Sequence, residues 1–126
     1  VSDIVSTNGR QENLESHLDV EDLQLTVEQG VSLGLVLNEL VTNSLKHAIP
    51  QGSSGWISVS VKSAGTHIEA RVSDSGPGIP ADYLHRNRAT LGMQIVHAIV
   101  GQHSGEFSLE DPGSSTFLVR LPRMMD

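Results

Sequence analysis

The chain has 126 residues, of which 37% are hydrophobic, with 12 Gly and 5 Pro: enough for one compact domain with a core of its own and too few for two. Its net charge is −7 and its few basic residues are scattered, the reverse of the footprint left by binding to a phosphate backbone, so nucleic acid is not an expected partner. The absence of Cys excludes a disulfide frame, thiolate metal sites and thiol redox chemistry, and allows a reducing compartment. No apolar run approaches the length of a membrane span and the N-terminus has no signal pattern, so a soluble piece without membrane contact is expected. A small anion such as a nucleotide remains open, because backbone N–H groups, a divalent metal and one or two local cations can hold it.

Taken in order, residues 1–15 are polar, with Asn8-Gly9 as a turn signal, and read as an arm or linker with no chemistry assigned. Residues 17–27 (HLDVEDLQLTV) alternate apolar and polar on either side of Glu21-Asp22, which predicts two short strands, the better one over 23–27. Glu28, Gln29 and Gly30 lead into a helix over 33–48, LGLVLNELVTNSLKHA. At about 100° per residue, Leu33, Leu37, Leu40, Val41, Ser44, Leu45 and Ala48 share the face that would pack on a sheet. Glu39, Asn43, Lys46 and His47 fall along the opposite edge and bring together a carboxylate, an amide and two potential cations. An ordinary amphipathic helix with an internal Glu39–Asn43 contact would show the same spacing, so the helix alone does not decide.

Pro50 and the Gly-Ser stretch at 51–55 end the helix. Residues 56–62 (WISVSVK) and 67–73 (HIEARVS) alternate strictly around a turn at Ala64-Gly65, predicting a hairpin in which Ile57, Val59 and Val61 pack with Ile68, Ala70 and Val72. The second strand runs into Asp74-Ser75-Gly76-Pro77-Gly78-Ile79-Pro80, where Gly and Pro force an irregular backbone directly after a carboxylate. Asp74 is placed there either for ligand contact or as a solvated turn residue. Residues 81–89 are polar and contain Arg86 and Arg88, and with Thr90-Leu91-Gly92 they have the build of a mobile cover. A second amphipathic helix over 93–102 turns Ile95, Val96, Ile99 and Val100 inward, and His103-Ser104-Gly105 ends it. Residues 106–110 and 115–121, joined through Asp111-Pro112-Gly113, read as a closing hairpin, and 123–126 as a tail. The expected fold is a two-layer α/β sandwich: a mixed, mostly antiparallel sheet with helices on one face, formed by residues 16–122.

The helical run from Asn38 to His47, the loop Asp74-Ser75-Gly76-Pro77-Gly78, then Leu91-Gly92-Met93 and Thr116-Phe117 follow the order of the N, G1 and G2 boxes. Over roughly residues 23–122 the chain resembles the ATP-binding catalytic domain of sensor histidine kinases, within the Bergerat-fold (GHKL) superfamily that includes DNA gyrase B and heat-shock chaperones. NELVTNSLKHA followed by DSGPGIP is most similar to kinases of the second HisKA type. The resemblance implies Asn43 as the ligand of a Mg²⁺ that bridges ATP phosphates, Glu39 as the group that orients or deprotonates the attacking group, and Lys46 and His47 toward the phosphates. It implies Asp74 as acceptor of the adenine amine, Thr116 sharing a water with it, and Gly76, Gly78 and Ile79 around base and sugar. Leu91 and Gly92 mark the end of the lid, which departs from the family's usual Gly-x-Gly. It further implies a cytoplasmic enzyme with ATP and Mg²⁺ as cofactors, weakly active in isolation. Its partners would be a phosphoacceptor histidine dimerisation domain of the same protein and, downstream, a response regulator. An anti-sigma or switch-type protein serine kinase, which would use Glu39 on a partner's Ser, and a non-catalytic docking module share these boxes.

Overall fold

The computed structural model describes residues 14–48, 54–77, 90–110 and 115–123. The expectations for residues 1–13, for the helix exit at Pro50, for the cover at 78–89, for the turn at Asp111-Pro112-Gly113 and for the last three residues lie outside this range.

Among the described residues, five strands form one sheet: β1 (Leu14–Val20), β2 (Gly55–Ala64), β3 (His67–Asp74), β4 (Glu106–Leu109) and β5 (Thr116–Pro122). Their order is β1-β2-β3-β5-β4, with β1 parallel to β2 and every other pairing antiparallel, so the sheet is mixed and mostly antiparallel. Helices α1 (Val27–Asn43) and α2 (Leu91–Gln102) cover one face.

The hairpin alternation places the core. Opposite β2 and β3 partners such as Val59 with Val72 and Val61 with Ala70 are all buried, and β5 adds Phe117, Val119 and Leu121 to the same face. From above, Leu33, Val36, Leu40, Val41 and Leu45 come down from α1 and its continuation, and Met93, Val96 and Val100 from α2. A buried apolar side chain of this size contributes about 1.5–3 kcal/mol, so this shared face supplies the main stabilising term. Three inward assignments shift: Leu37, Ile95 and Ile99 are only partly buried, whereas Val36 and Met93 are buried.

The outer face carries a charge ladder instead. Arg120 Nε donates to Glu69 Oε2 at 3.1 Å and its Nη1 to Glu106 Oε1 at 3.1 Å, while Arg71 Nε donates to Glu110 Oε2 at 2.8 Å. Although partial burial works against the Arg71 charge, hydrogen bonds and attraction from Glu110 and Glu69 outweigh it and hold the guanidinium above its ordinary pKa.

One expectation fails. Residues 23–27 form no strand: after β1 the chain runs irregularly to Thr26, whose hydroxyl accepts the Gln29 N–H at 3.1 Å, and α1 starts at Val27. The alternation of Leu23, Leu25 and Val27 misleads because Leu23 and Leu25 pack, partly buried, against the core while Val27 is 85% exposed. A Thr with its N-cap bond outweighs a five-residue β-like pattern. Gln29, on the first turn, is buried and donates from Nε2 to Pro122 O at 2.8 Å, tying α1 to the end of β5.

At the far end of α2, Gly105 N–H donates to Val100 O at 2.8 Å and Ser104 takes the left-handed conformation with φ 58°. Gly105 is required by space: a Cβ there would lie 2.5 Å from Arg120 O and 2.5 Å from Leu121 Cδ2. Gly30, on α1, would place its Cβ in open space. Urea denaturation of Gly105→Ala should therefore show a loss of about 1–3 kcal/mol, whereas Gly30→Ala should gain roughly 0.5–1 kcal/mol.

Candidate functional site

Three parts of the fold carry the residues expected at the site. The first is β3 itself, whose core-facing row runs Ile68, Ala70, Val72 and then Asp74. The alternation that buries the apolar residues also buries the carboxylate, which is 5% exposed. One of its oxygens, Oδ1, accepts the Gly76 N–H at 2.8 Å, which folds the chain into a tight turn. The turn is held from both sides: Ser75 N–H donates to Trp56 O at 3.0 Å on β2, and Ser115 Oγ donates to Gly76 O and Pro77 O, each at 3.1 Å. Asp74 N–H in turn donates to Ser115 O at 3.3 Å.

The second part is the end of α1. Beyond Asn43 the helix widens into a π-helical turn (Ser44–Ala48), and the Ser44 N–H reaches the carbonyls of both Leu40 and Val41. Such turns are frequent at functional sites because the extra residue per turn re-aims side chains. Here the π turn packs against β3. Ser44 is 3% exposed, and its hydroxyl is buried with no hydrogen-bond partner. An unpartnered buried hydroxyl costs about 1–3 kcal/mol. Glu39 and Asn43, one turn apart, are both half-buried, and among the described residues no hydrogen bond joins their side chains. Lys46 is exposed.

The third part is the start of α2. Thr90 caps it, its hydroxyl accepting the Met93 N–H at 3.3 Å. Gly92, in the first turn, lies against the carboxylate of Glu39, which brings the two sequence motifs together. Leu91 beside it is 74% exposed.

Of the residues expected at the site, the fold thus gathers Glu39, Asn43, Asp74, Gly76 and Gly92 on elements that touch. The His47 side chain, Gly78, Ile79, Arg86 and Arg88 lie outside the description. Thr116 goes elsewhere: it stands opposite Ser73 in the β3–β5 register, and the two hydroxyls are 2.8 Å apart. Because neighbouring residues of a strand point to opposite faces, this pair lies on the sheet face away from Asp74. Ser115 is the β5 neighbour whose hydroxyl reaches the Asp74 turn. Sequence reasoning assigned Ser44 to packing and gave Ser115 no role; only the parity of Ser115 with Phe117 pointed to its face.

With this geometry in view, the comparisons with known proteins agree. The profile of the histidine kinase-, DNA gyrase B- and HSP90-like ATPases matches residues 28–125, and the chain belongs to that family. The blue-light-activated histidine kinase 2 of Erythrobacter litoralis is 28% identical over 106 residues, which covers 83% of this chain and 31% of that protein. The probable sensor histidine kinase TcrY of Mycobacterium tuberculosis is 36% identical over 104 residues, 68% of this chain and 22% of that one. The chain thus spans a third or less of the length of these relatives. In structure, the histidine kinase domain of the Erythrobacter litoralis EL346 blue-light activated histidine kinase aligns with TM-score 0.81 and 25% identity over 96% of this chain and 56% of that chain. The catalytic domain of histidine kinase ThkA shares the fold with TM-score 0.78 at 22% identity, over 95% of this chain and 85% of that one.

The unpartnered hydroxyl gives a direct check. Ser44→Ala removes a buried group with nothing to bond, so the ligand-free protein should keep its urea midpoint or raise it; a loss above about 1 kcal/mol would reveal a partner for the hydroxyl.

Proposed function

We propose that this chain is the ATP-binding catalytic domain of a sensor histidine kinase, which transfers the γ-phosphoryl group of Mg-ATP to a histidine in a separate dimerisation region of the same protein. Residues 16–122 would form that domain, with 1–15 as arm or linker and 123–126 as tail. The reading places it in the cytoplasm with a response regulator downstream; no helix among the described residues is long and apolar enough to cross a membrane.

The observation that carries the reading is the buried Asp74 carboxylate, in a protein of this ATPase family, beside a π turn that presents the unpartnered Ser44 hydroxyl. One Asp74 oxygen is used by its own turn and the other is left to accept from an exocyclic amine. Ser44 and Ser115 would offer hydroxyls beside it, and Gly76 would let the backbone approach base and sugar, with Gly78 and Ile79 proposed to follow it there. For the metal, no group of three or more His, Cys, Asp or Glu converges among the described residues. A Mg²⁺ ion, which takes few protein oxygens and keeps several waters, suits a single amide from Asn43 joined to phosphate oxygens. Lys46 and His47, one turn further, would add positive charge near the phosphates, and Leu91 would close over them from the start of α2.

Mg-ATP supplies the phosphoryl group, and the protein's part is to position and neutralise. Glu39 is within one turn of Asn43, half-buried and free of a hydrogen bond to it, so its carboxylate can orient the incoming nucleophile or take its proton.

Asp74 as an adenine reader predicts nucleotide choice. Guanine offers a carbonyl where adenine offers an amine, so titration calorimetry should show ATP and ADP preferred over GTP by about 10²-fold or more, with Asp74→Asn losing most of the ATP affinity. Equal binding of GTP, or normal binding by Asp74→Asn, would refute the assignment.

Glu39 predicts the opposite separation. In the parent kinase, Glu39→Gln should bind ATP within a few-fold of wild type and slow single-turnover autophosphorylation by about 10²-fold or more. An unchanged rate would reduce Glu39 to a structural role.

A further inference from the structure

Gly92 has no backbone reason to be glycine. It sits in the regular first turn of α2, and among the described glycines only Gly65 has a positive φ. What a side chain at 92 would meet is specific: a Cβ would lie 2.6 Å from Glu39 Oε2 and 3.6 Å from Glu39 Cδ, and among the described residues beyond its own turn no other atom lies within 4 Å. The volume of the missing methyl group is occupied by the carboxylate of the residue that the proposed function assigns to acid–base chemistry.

The same two helices are tied a second time. Ser32, two helical turns before Glu39 on the same edge of α1, has its Oγ 2.9 Å from His103 Nε2 at the far end of α2. As α1 advances from Ser32 to Glu39, its contacts on α2 retreat from His103 to Gly92, so the helices run antiparallel and touch at both ends of α2. The Thr90 cap satisfies the Met93 N–H, and the first turn of a helix favours a negative group beside it.

We infer that Gly92 is a positioning residue for Glu39: its missing Cβ seats the carboxylate against the first turn of α2, and the start of α2 thereby sets where the acid–base group points. This inference rests on the kinase reading for its catalytic meaning, whereas the contact itself can be tested without it. It gives the glycine at the end of the Thr90-Leu91-Gly92 motif a task separate from any approach to phosphate.

Two measurements decide. In the 126-residue chain, a double-mutant cycle of Gly92→Ala with Glu39→Ala is read by urea denaturation without nucleotide. Alanine is the better helix former, so Gly92→Ala should raise the unfolding midpoint in the Glu39→Ala background and fail to raise it in wild type. Equal changes in the two backgrounds would overturn the inference whether or not the protein binds ATP. In the parent kinase, Gly92→Ala should leave the ATP dissociation constant within a few-fold and slow single-turnover autophosphorylation by up to about 10²-fold, the scale of a misplaced catalytic group. In the background of Glu39→Asp, whose side chain is one methylene shorter, the same substitution should cost much less. If Gly92→Ala instead weakened ATP binding while sparing the rate at saturating ATP, the glycine would act on the phosphates and the positioning role would fall. Absence of ATP binding by the unaltered chain would sink the kinase reading and leave the denaturation cycle to judge the contact.

Discussion

The carboxylate of Asp74 stands where the alternation of β3 would otherwise place a fourth core residue after Ile68, Ala70 and Val72. Burying a charge in that position costs several kcal/mol unless it is hydrogen-bonded or neutralised. Much of the local structure follows from that constraint. The Gly76 N–H supplies one bond, and supplying it forces the sharp turn. Trp56 and Ser115 then hold that turn from the two neighbouring strands. The result is a carboxylate at a sheet end, held rigidly and with acceptor capacity to spare.

The two helices complete the site in different ways. A continued α-helix beyond Asn43 would keep its ladder, whereas the π turn shifts Ser44 and the residues after it against β3 and leaves a hydroxyl buried without a partner. Helix α2 carries, in its first turn, a glycine pressed to the Glu39 carboxylate. Unpaired or crowded polar groups of this kind oppose stability, and the broad apolar face shared by α1, α2 and the sheet is what carries them. Function on this reading is supported from the far side of the same core.

The two hairpins, the mixed sheet with helices on one face and the position of the Asp74 loop were legible in the sequence, because each depends on a local period or on turn chemistry. The alternation through 56–62 and 67–73 fixes the face that buries Ile57, Val59 and Val61 with Ile68, Ala70 and Val72, and the pairing formed keeps those six on one face. Family resemblance could be read from the same strings, since motifs at the end of a strand and on a helix edge are themselves local.

Tertiary structure decided what no period encodes. Whether 23–27 pairs as a strand or leads into a helix depended on a free sheet edge set against a Thr26 cap, and the cap prevailed. The face on which β5 shows Thr116 or Ser115 depended on pairing with Ser73. The widening that buries Ser44 required β3 beneath the helix end, and the reason for a glycine at 92 lay 53 positions away in the chain, at Glu39. In each case the deciding partner is remote in sequence, and side chains distant along the chain acquire a shared environment only once the core has brought their elements together.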